Sequence, residues 1–169
     1  MRYNDAVTAR RAGIREKNGN RMITVGIRGE KSVKVTNENT AASMGSGLLP
    51  VFATPSLAAL MEKTCAESVQ TELEEGFGTV GTLITCAHTS ASPVGCTVTC
   101  KSELVEVDRR RLVFRVTASD ELGPVGEGTH ERFIIDNARF MKKAEEKAHS
   151  LKEMRKNAAA LGKPTDSAE

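Results

Sequence analysis

The sequence predicts an α+β domain of two layers, one long helix packed on an antiparallel sheet of about five strands, with a charged helix added at the C-terminal end. Three observations predict it. From Thr54 onward, Leu57, Leu60, Met61, Cys65 and Val69 recur at spacings of three and four, which marks one apolar helix face. Four strand-like runs follow, broken by turns about every dozen residues, the mark of an antiparallel meander. Last comes "ARFMKKAEEKAHSLKEMRKNAAALG", a Lys/Glu-rich helical stretch stopped by Gly162 and Pro164.

Taken in order, residues 1–21 are polar and basic with no sustained period and are expected to form a flexible tail. Arg2, Arg10, Arg11 and Arg15 among small residues suggest a mitochondrial transit peptide instead, but Asp5 and Glu16 and the missing amphipathic stretch oppose it. The domain proper is expected over residues 22–141, with the C-terminal helix and tail over 142–169. Two short alternating segments, Ile23–Arg28 and Ser32–Thr36, read as strands on either side of Gly29. "NENTAASMGSGLLP" reads as a loop. Thr54 fits an N-cap and Pro55 a first helical position, opening a helix over Thr54–Leu73. The runs "TVGTLITCAHTSA", "CTVTCKSELVEV", "LVFRVTASD" and "VGEGTHERFIID" then supply four strands, turned by "PVG", "DRRR" and "ELGP".

A chain of 169 residues is one ordinary domain, and a net charge of +2 gives no reason to expect a nucleic-acid partner. Glutamates interleave with the lysines of the last helix, so that helix reads as a solvated face, and His149 on it as inert. No apolar run approaches a membrane span and no signal-peptide pattern is present, so a cytoplasmic location without a membrane partner is expected. Cys65, Cys86, Cys96 and Cys100 fall in predicted helix and strands without a CxxC motif, which favours reduced thiols over a zinc site.

Glu62 breaks the helix pattern. It lies one turn after Ala58 and one turn before Ala66, a carboxylate in an otherwise small, apolar row. Desolvation there would make it a better proton acceptor, which suits a general base. One helix covers only one face of a five-stranded sheet, and the strands carry apolar or small residues on both alternations, as at Leu83 and Ala87 against Ile84 and Cys86. A second copy is the simplest cover, so a homodimer, or a dimer of dimers, is expected.

With these elements in place, the chain resembles the hotdog-fold acyl-CoA thioesterases, in the branch that includes fluoroacetyl-CoA thioesterase. The resemblance rests on "VFATPSLAALME", "GTVGTLITCAHTSASPVG", "RRRLVFRVTASDELGPVGEGTHERFII" and the "ENTAASMGSG" loop, in that family's order and spanning roughly Ile23 to Met141. It implies a hotdog fold and hydrolysis of an acyl-CoA thioester, without a metal or a separate cofactor, since CoA is part of the substrate. It implies a catalytic group of Thr54, Glu62 and His88, with the backbone N–H of Gly81 as an oxyanion donor. The family's fluoroacetyl-specific member is implied to close its pocket with bulky apolar and aromatic residues ahead of the helix. Here that stretch has Phe52 as its one aromatic, so a different acyl group, small or branched, is expected.

The residues alone leave other roles open. Thr54 reads as a cap as well as a catalytic hydroxyl, and orienting the substrate suits a crowded secondary alcohol better than attack. His130 shares a strand face with Gly126, Gly128 and Arg132 and reads as structural. Arg132 either pairs with a carboxylate or approaches a CoA phosphate. Arg109, Arg110 and Arg111 are either a solvated hairpin turn or phosphate contacts. The alternatives to hydrolysis are a non-catalytic acyl-CoA-binding dimer and an enoyl-thioester hydratase. Because Thr54 and Glu62 are eight residues apart, about 12 Å along one regular helix, the expected site is shared between two chains.

Overall fold

Strand β1 (Arg28–Lys34) leads through a 3-10 turn (Asn37–Asn39) and a short helix α1 (Ala41–Met44) to the long helix α2 (Thr54–Gln70). Four strands follow, β2 (Phe77–His88), β3 (Thr97–Asp108), β4 (Arg111–Asp120) and β5 (Gly123–Asp136), and the helix α3 (Asn137–Leu161) continues directly from β5. The computed structural model describes residues 23–161. The expected basic tail and the Gly162 and Pro164 stop lie outside the described residues.

All neighbouring strands run antiparallel, in the order β1-β3-β4-β5-β2. Period-two patterning fixes which face looks inward. Val98, Cys100, Ser102 and Leu104 of β3, and Leu112, Phe114, Val116 and Ala118 of β4, are buried beneath α2. The helix answers with Leu57, Leu60, Met61, Thr64, Cys65 and Val69. Leu57 and Met61 are fully buried, and truncating either to Ala would cost about 2–5 kcal/mol. The Thr64 hydroxyl donates to the Leu60 carbonyl at 2.7 Å, so a buried polar side chain on this face stays satisfied. Burial also pushes the Cys65 thiol up to about 12, making it a packing group rather than a reactive one.

Besides the end of α2, which comes at Gln70 rather than Leu73, three local readings differ from the sequence expectation. Of the two segments expected on either side of Gly29, one strand forms: Arg28–Lys34 runs through Gly29 and pairs without a break against Thr97–Glu103, while residues 23–27 make a turn ahead of it. Thr54 is the first helical residue rather than the cap. Ala53 occupies the N-cap and Pro55 follows Thr54, since the Ala53 carbonyl already accepts from Leu57 N–H at 2.9 Å. The expected loop before α2 is held in place: Ala53 N–H and the Ser56 hydroxyl both donate to the Asn39 carbonyl, and Phe52 N–H donates to Ser92.

β2 forms an open edge of the sheet, and its Leu83 is 54% exposed. A bulge interrupts its pairing with β5: Gly81 stands opposite Arg132 and Leu83 opposite Glu131, leaving Thr82 as the extra residue. Further along, Gly128 of β5 has no room for a Cβ, which would collide with the Thr85 backbone carbonyl.

Candidate active site

Helix α2 and strands β2 and β5 bring the expected site residues into two clusters. The first lies at the start of α2. Thr54 Oγ1 is 3.0 Å from His88 Nδ1 at the end of β2, a hydrogen bond in which either atom can donate. The hydroxyl is free for this because Ala53, not Thr54, caps the helix. Phe52, buried, sets its ring edge-on to the imidazole with centroids 6.3 Å apart. Burial pushes the His88 pKa below the usual imidazole range, with the Ser90 backbone opposing it. His88 Nε2 is shielded from solvent and makes no hydrogen bond of normal geometry among the described residues.

The second cluster lies two turns further along α2. A Cβ built on Gly81 would stand 2.8 Å from Glu62 Oε1 and 3.0 Å from His130 Cε1, so only glycine leaves the carboxylate its position. His130 is fully buried. Its Nδ1 sits 2.8 Å from the Leu83 carbonyl and its Nε2 2.9 Å from Arg132 Nη1. A carbonyl only accepts and a guanidinium only donates, so the ring is neutral with its proton on Nδ1. Glu62 Oε1 is 3.8 Å from Nε2. Arg132 donates through Nε to the Thr79 hydroxyl at 2.7 Å and through Nη2 to the Thr79 carbonyl at 2.8 Å. Burial pushes its pKa down, and the Glu62 carboxylate acts against that shift.

These positions bear on the sequence reading residue by residue. His88 joins Thr54, and Glu62 joins Gly81, but the two pairs stay apart within one chain. Arg132 is only 8% exposed and tied to β2; its hydrogen-bond partners are Thr79 and His130, and it forms no ion pair with a carboxylate among the described residues. The Glu62 side chain is 47% exposed, so α2 alone does not bury the row on which it lies. Arg111 is committed to Glu131, at 2.8 Å from Nε, and to Glu106, at 2.8 Å from Nη1. Thr79 escaped the sequence reading, since a threonine in a strand carries no signal of its own and its partner is 53 residues away. Among the described residues, no group of three or more His, Cys, Asp or Glu side chains is arranged to hold a metal ion.

Comparison with known proteins gives the family and the fold. The model of the fluoroacetyl-CoA-specific thioesterase family matches residues 35–138. The fluoroacetyl-CoA thioesterase of Streptantibioticus cattleyicolor is 44% identical over 97 residues, covering 57% of this chain and 70% of the relative. A mutant of a fluoroacetyl-CoA thioesterase, solved in complex with acetyl-CoA, superposes with a TM-score of 0.71 at 36% identity, covering 74% of this chain and 98% of that one. A hot-dog-like protein from Thermanaerovibrio acidaminovorans superposes with a TM-score of 0.67 at 25% identity, covering 73% of this chain and 91% of that one. The curled five-stranded sheet around α2 is the hotdog fold.

Proposed function

The chain belongs to the fluoroacetyl-CoA-specific thioesterase family and hydrolyses an acyl-CoA thioester, and on that premise we propose that Glu62 is the base of the reaction, assisted by Thr54 and His88. The observation that carries this reading is the contact of the Glu62 carboxylate with the open face of Gly81. A thioester carbonyl at Gly81 would direct its oxygen to the backbone N–H beside the bulge, where charge develops in the tetrahedral intermediate. Glu62 then takes a proton from a water molecule as the water oxygen bonds to the carbonyl carbon. When the carbon–sulfur bond breaks, that proton returns to the departing sulfur, giving the carboxylic acid and free CoA. No separate cofactor is needed for these steps. Arg132, held by Thr79 and His130, keeps a fixed cation near Glu62.

The site is composite in this proposal, completed by a second copy of the chain. Within one chain Thr54 and Glu62 are eight residues apart on a single helix, about 12 Å along its axis. The half-exposed Glu62, the buried His88 Nε2 that makes no hydrogen bond of normal geometry among the described residues, and the open edge at β2 all support a homodimer in which one copy's Thr54 and His88 approach the other's Glu62 and Gly81. The acyl group in this reading is small or branched rather than fluoroacetyl. Ahead of α2, Phe52 is buried against His88, and the exposed apolar residues between β1 and α2 are Met44, Leu48 and Leu49. We also assign the enzyme to the cytoplasm. Its described cysteines are all free, and no described helix is long and apolar enough to cross a membrane.

The test is release of free thiol from a panel of acyl-CoAs by the wild type and by Glu62→Gln. The substitution keeps the side chain's size and removes the base, so it should leave folding intact and lower kcat by about a hundredfold or more. Near-normal turnover by Glu62→Gln would refute the assignment.

A further inference from the structure

The bulge in β2 lies on an open edge of the sheet, so within the chain only β5 pairs with it. Gly81, Thr82 and Leu83 are all exposed there. Backbone beside an extra, unpaired edge residue opens readily, yet a donor to a developing oxyanion has to be held in place beforehand. Two buried side chains of β5 bracket the bulge. Arg132 reaches the strand ahead of it, donating to the Thr79 hydroxyl at 2.7 Å from Nε and to the Thr79 carbonyl at 2.8 Å from Nη2. His130 reaches the strand after it, donating from Nδ1 to the Leu83 carbonyl at 2.8 Å. Arg132 Nη1 and His130 Nε2, 2.9 Å apart, join the two into one unit, and the His130 ring backs the face of Gly81. A buried guanidinium with no carboxylate partner among the described residues is costly, and packing alone would be served by an apolar side chain.

We propose that Thr79 is a positioning residue for hydrolysis: its hydroxyl fixes Arg132, and the Arg132–His130 unit then fixes the direction of the Gly81 N–H across the bulge. The inference rests on the reading that the thioester carbonyl lies at Gly81. The Thr79 and Leu83 carbonyls that the unit engages belong to the backbone, so the Thr79 hydroxyl is the one acceptor on β2 that a substitution removes. Without it, Arg132 Nε is left as a buried donor with no acceptor, and the guanidinium turns to find one. Its five donors lie in one rigid plane, so the contacts to His130 and to the Thr79 carbonyl move with Nε. The tetrahedral intermediate demands more of the Gly81 N–H than the bound thioester does, so the loss falls on kcat and leaves binding unchanged. Thr82, the extra residue, is held separately, its hydroxyl donating to the Glu131 carbonyl at 3.3 Å.

The experiment measures kcat, KM and the Gly81 amide resonance in isotope-labelled wild type, Thr79→Val, Thr79→Ser, Arg132→Lys and Thr79→Val/Arg132→Lys, each held well below its melting temperature. Thr79→Val keeps the β-branched shape and removes the acceptor. Its kcat should fall about tenfold with KM unchanged, and the Gly81 resonance should shift. Thr79→Ser, which keeps the hydroxyl, should retain most of the rate. An acyl-CoA analogue with methylene in place of the thioester sulfur should bind wild type and Thr79→Val with equal Kd. Because Thr79 acts through Arg132, adding Thr79→Val to Arg132→Lys should lower kcat by less than about twofold further. If Thr79→Val does not fold, Thr79→Cys, similar in size with a much weaker acceptor, takes its place under the same expectations. Wild-type kcat in Thr79→Val, equal losses in Val and Ser, a change confined to KM, or full additivity with Arg132→Lys would each overturn the proposal. Lost turnover in Glu62→Gln with wild-type kcat in Thr79→Val sinks the Thr79 inference alone. Near-normal turnover in Glu62→Gln with a slowed Thr79→Val sinks the base assignment alone.

Discussion

Thr54 and His88 meet across 34 residues of sequence, hydroxyl oxygen to ring Nδ1 at 3.0 Å, while the other ring nitrogen is shielded from solvent and makes no hydrogen bond of normal geometry among the described residues. A buried imidazole nitrogen left unpaired costs free energy of the same order as a lost hydrogen bond. A neighbouring copy that brings a donor or acceptor to Nε2 would remove that cost. In the proposed dimer the pair would be half of the site, with Glu62 of the other copy as its complement.

Subunit mixing tests that division. Glu62→Gln and His88→Ala are each expected to be inactive as homodimers. If the residues act across the interface, a heterodimer of the two has one site with both defects and one with neither. Mixtures refolded together should then recover activity, up to half the wild-type value per heterodimer. Activity that stays absent although heterodimers form would place Glu62 and His88 of one chain in the same site.

Gly81→Ala tests the carboxylate's position. The added methyl would stand 2.8 Å from Glu62 Oε1 and 3.0 Å from His130 Cε1. The flexible carboxylate can swing aside, whereas the buried ring cannot. The variant should fold with a loss of about 1–3 kcal/mol from overpacking, and its kcat should fall by at least tenfold. Turnover at the wild-type level would mean that Glu62 does not work from this position.

His130 has two tasks that two substitutions separate. In His130→Gln the amide oxygen can still accept from Arg132, and in His130→Asn the amide nitrogen can still donate to Leu83. Each variant leaves one buried group unpaired and should lose about 1–3 kcal/mol in urea unfolding. If holding Arg132 beside Glu62 matters for hydrolysis, kcat should fall further in Asn than in Gln. Equal kcat values at equal stabilities would reduce His130 to a packing role.

Acidification should destabilise the protein earlier than its carboxylates require. Burial pushes the His130 pKa below the usual 6.5; the Leu83 carbonyl opposes the shift, Arg132 adds to it, and Glu62 opposes it. His88 shifts in the same direction, also chiefly through burial. The unfolded chain then binds protons near pH 6.5 that the folded chain refuses, so stability is full above that value and declines as pH falls below it. Carboxylates held down by partners, such as Glu131 by Arg111, lose their contribution only below the usual 4.5. Urea midpoints should therefore fall between pH 6.5 and 4.5, and His130→Gln should flatten part of that fall. A wild-type profile level across this window would mean that neither histidine is kept neutral by its burial.

The sequence alone determined α2, the four strands after it and their inward faces. Leu57, Met61 and Cys65 repeat at helical spacing, and Val98, Cys100 and Leu104 follow the strand alternation; both patterns are local and survive without knowledge of the fold. It also exposed Glu62, because a carboxylate between Ala58 and Ala66 violates that local pattern. It misplaced the helix cap by one residue, since Pro55 suits the first or the second helical position, and the bond from Thr54 to His88 is not local. Only the tertiary structure decided that His130 and Arg132 form one unit with Thr79, and that Glu62 lies against Gly81 rather than Thr54. Those contacts depend on the register of β2 against β5 and on the extra residue at Thr82, which re-aims the strand where α2 crosses it. Pairing across 50 residues is set by how the whole sheet curls around the helix, and no short stretch of sequence contains it.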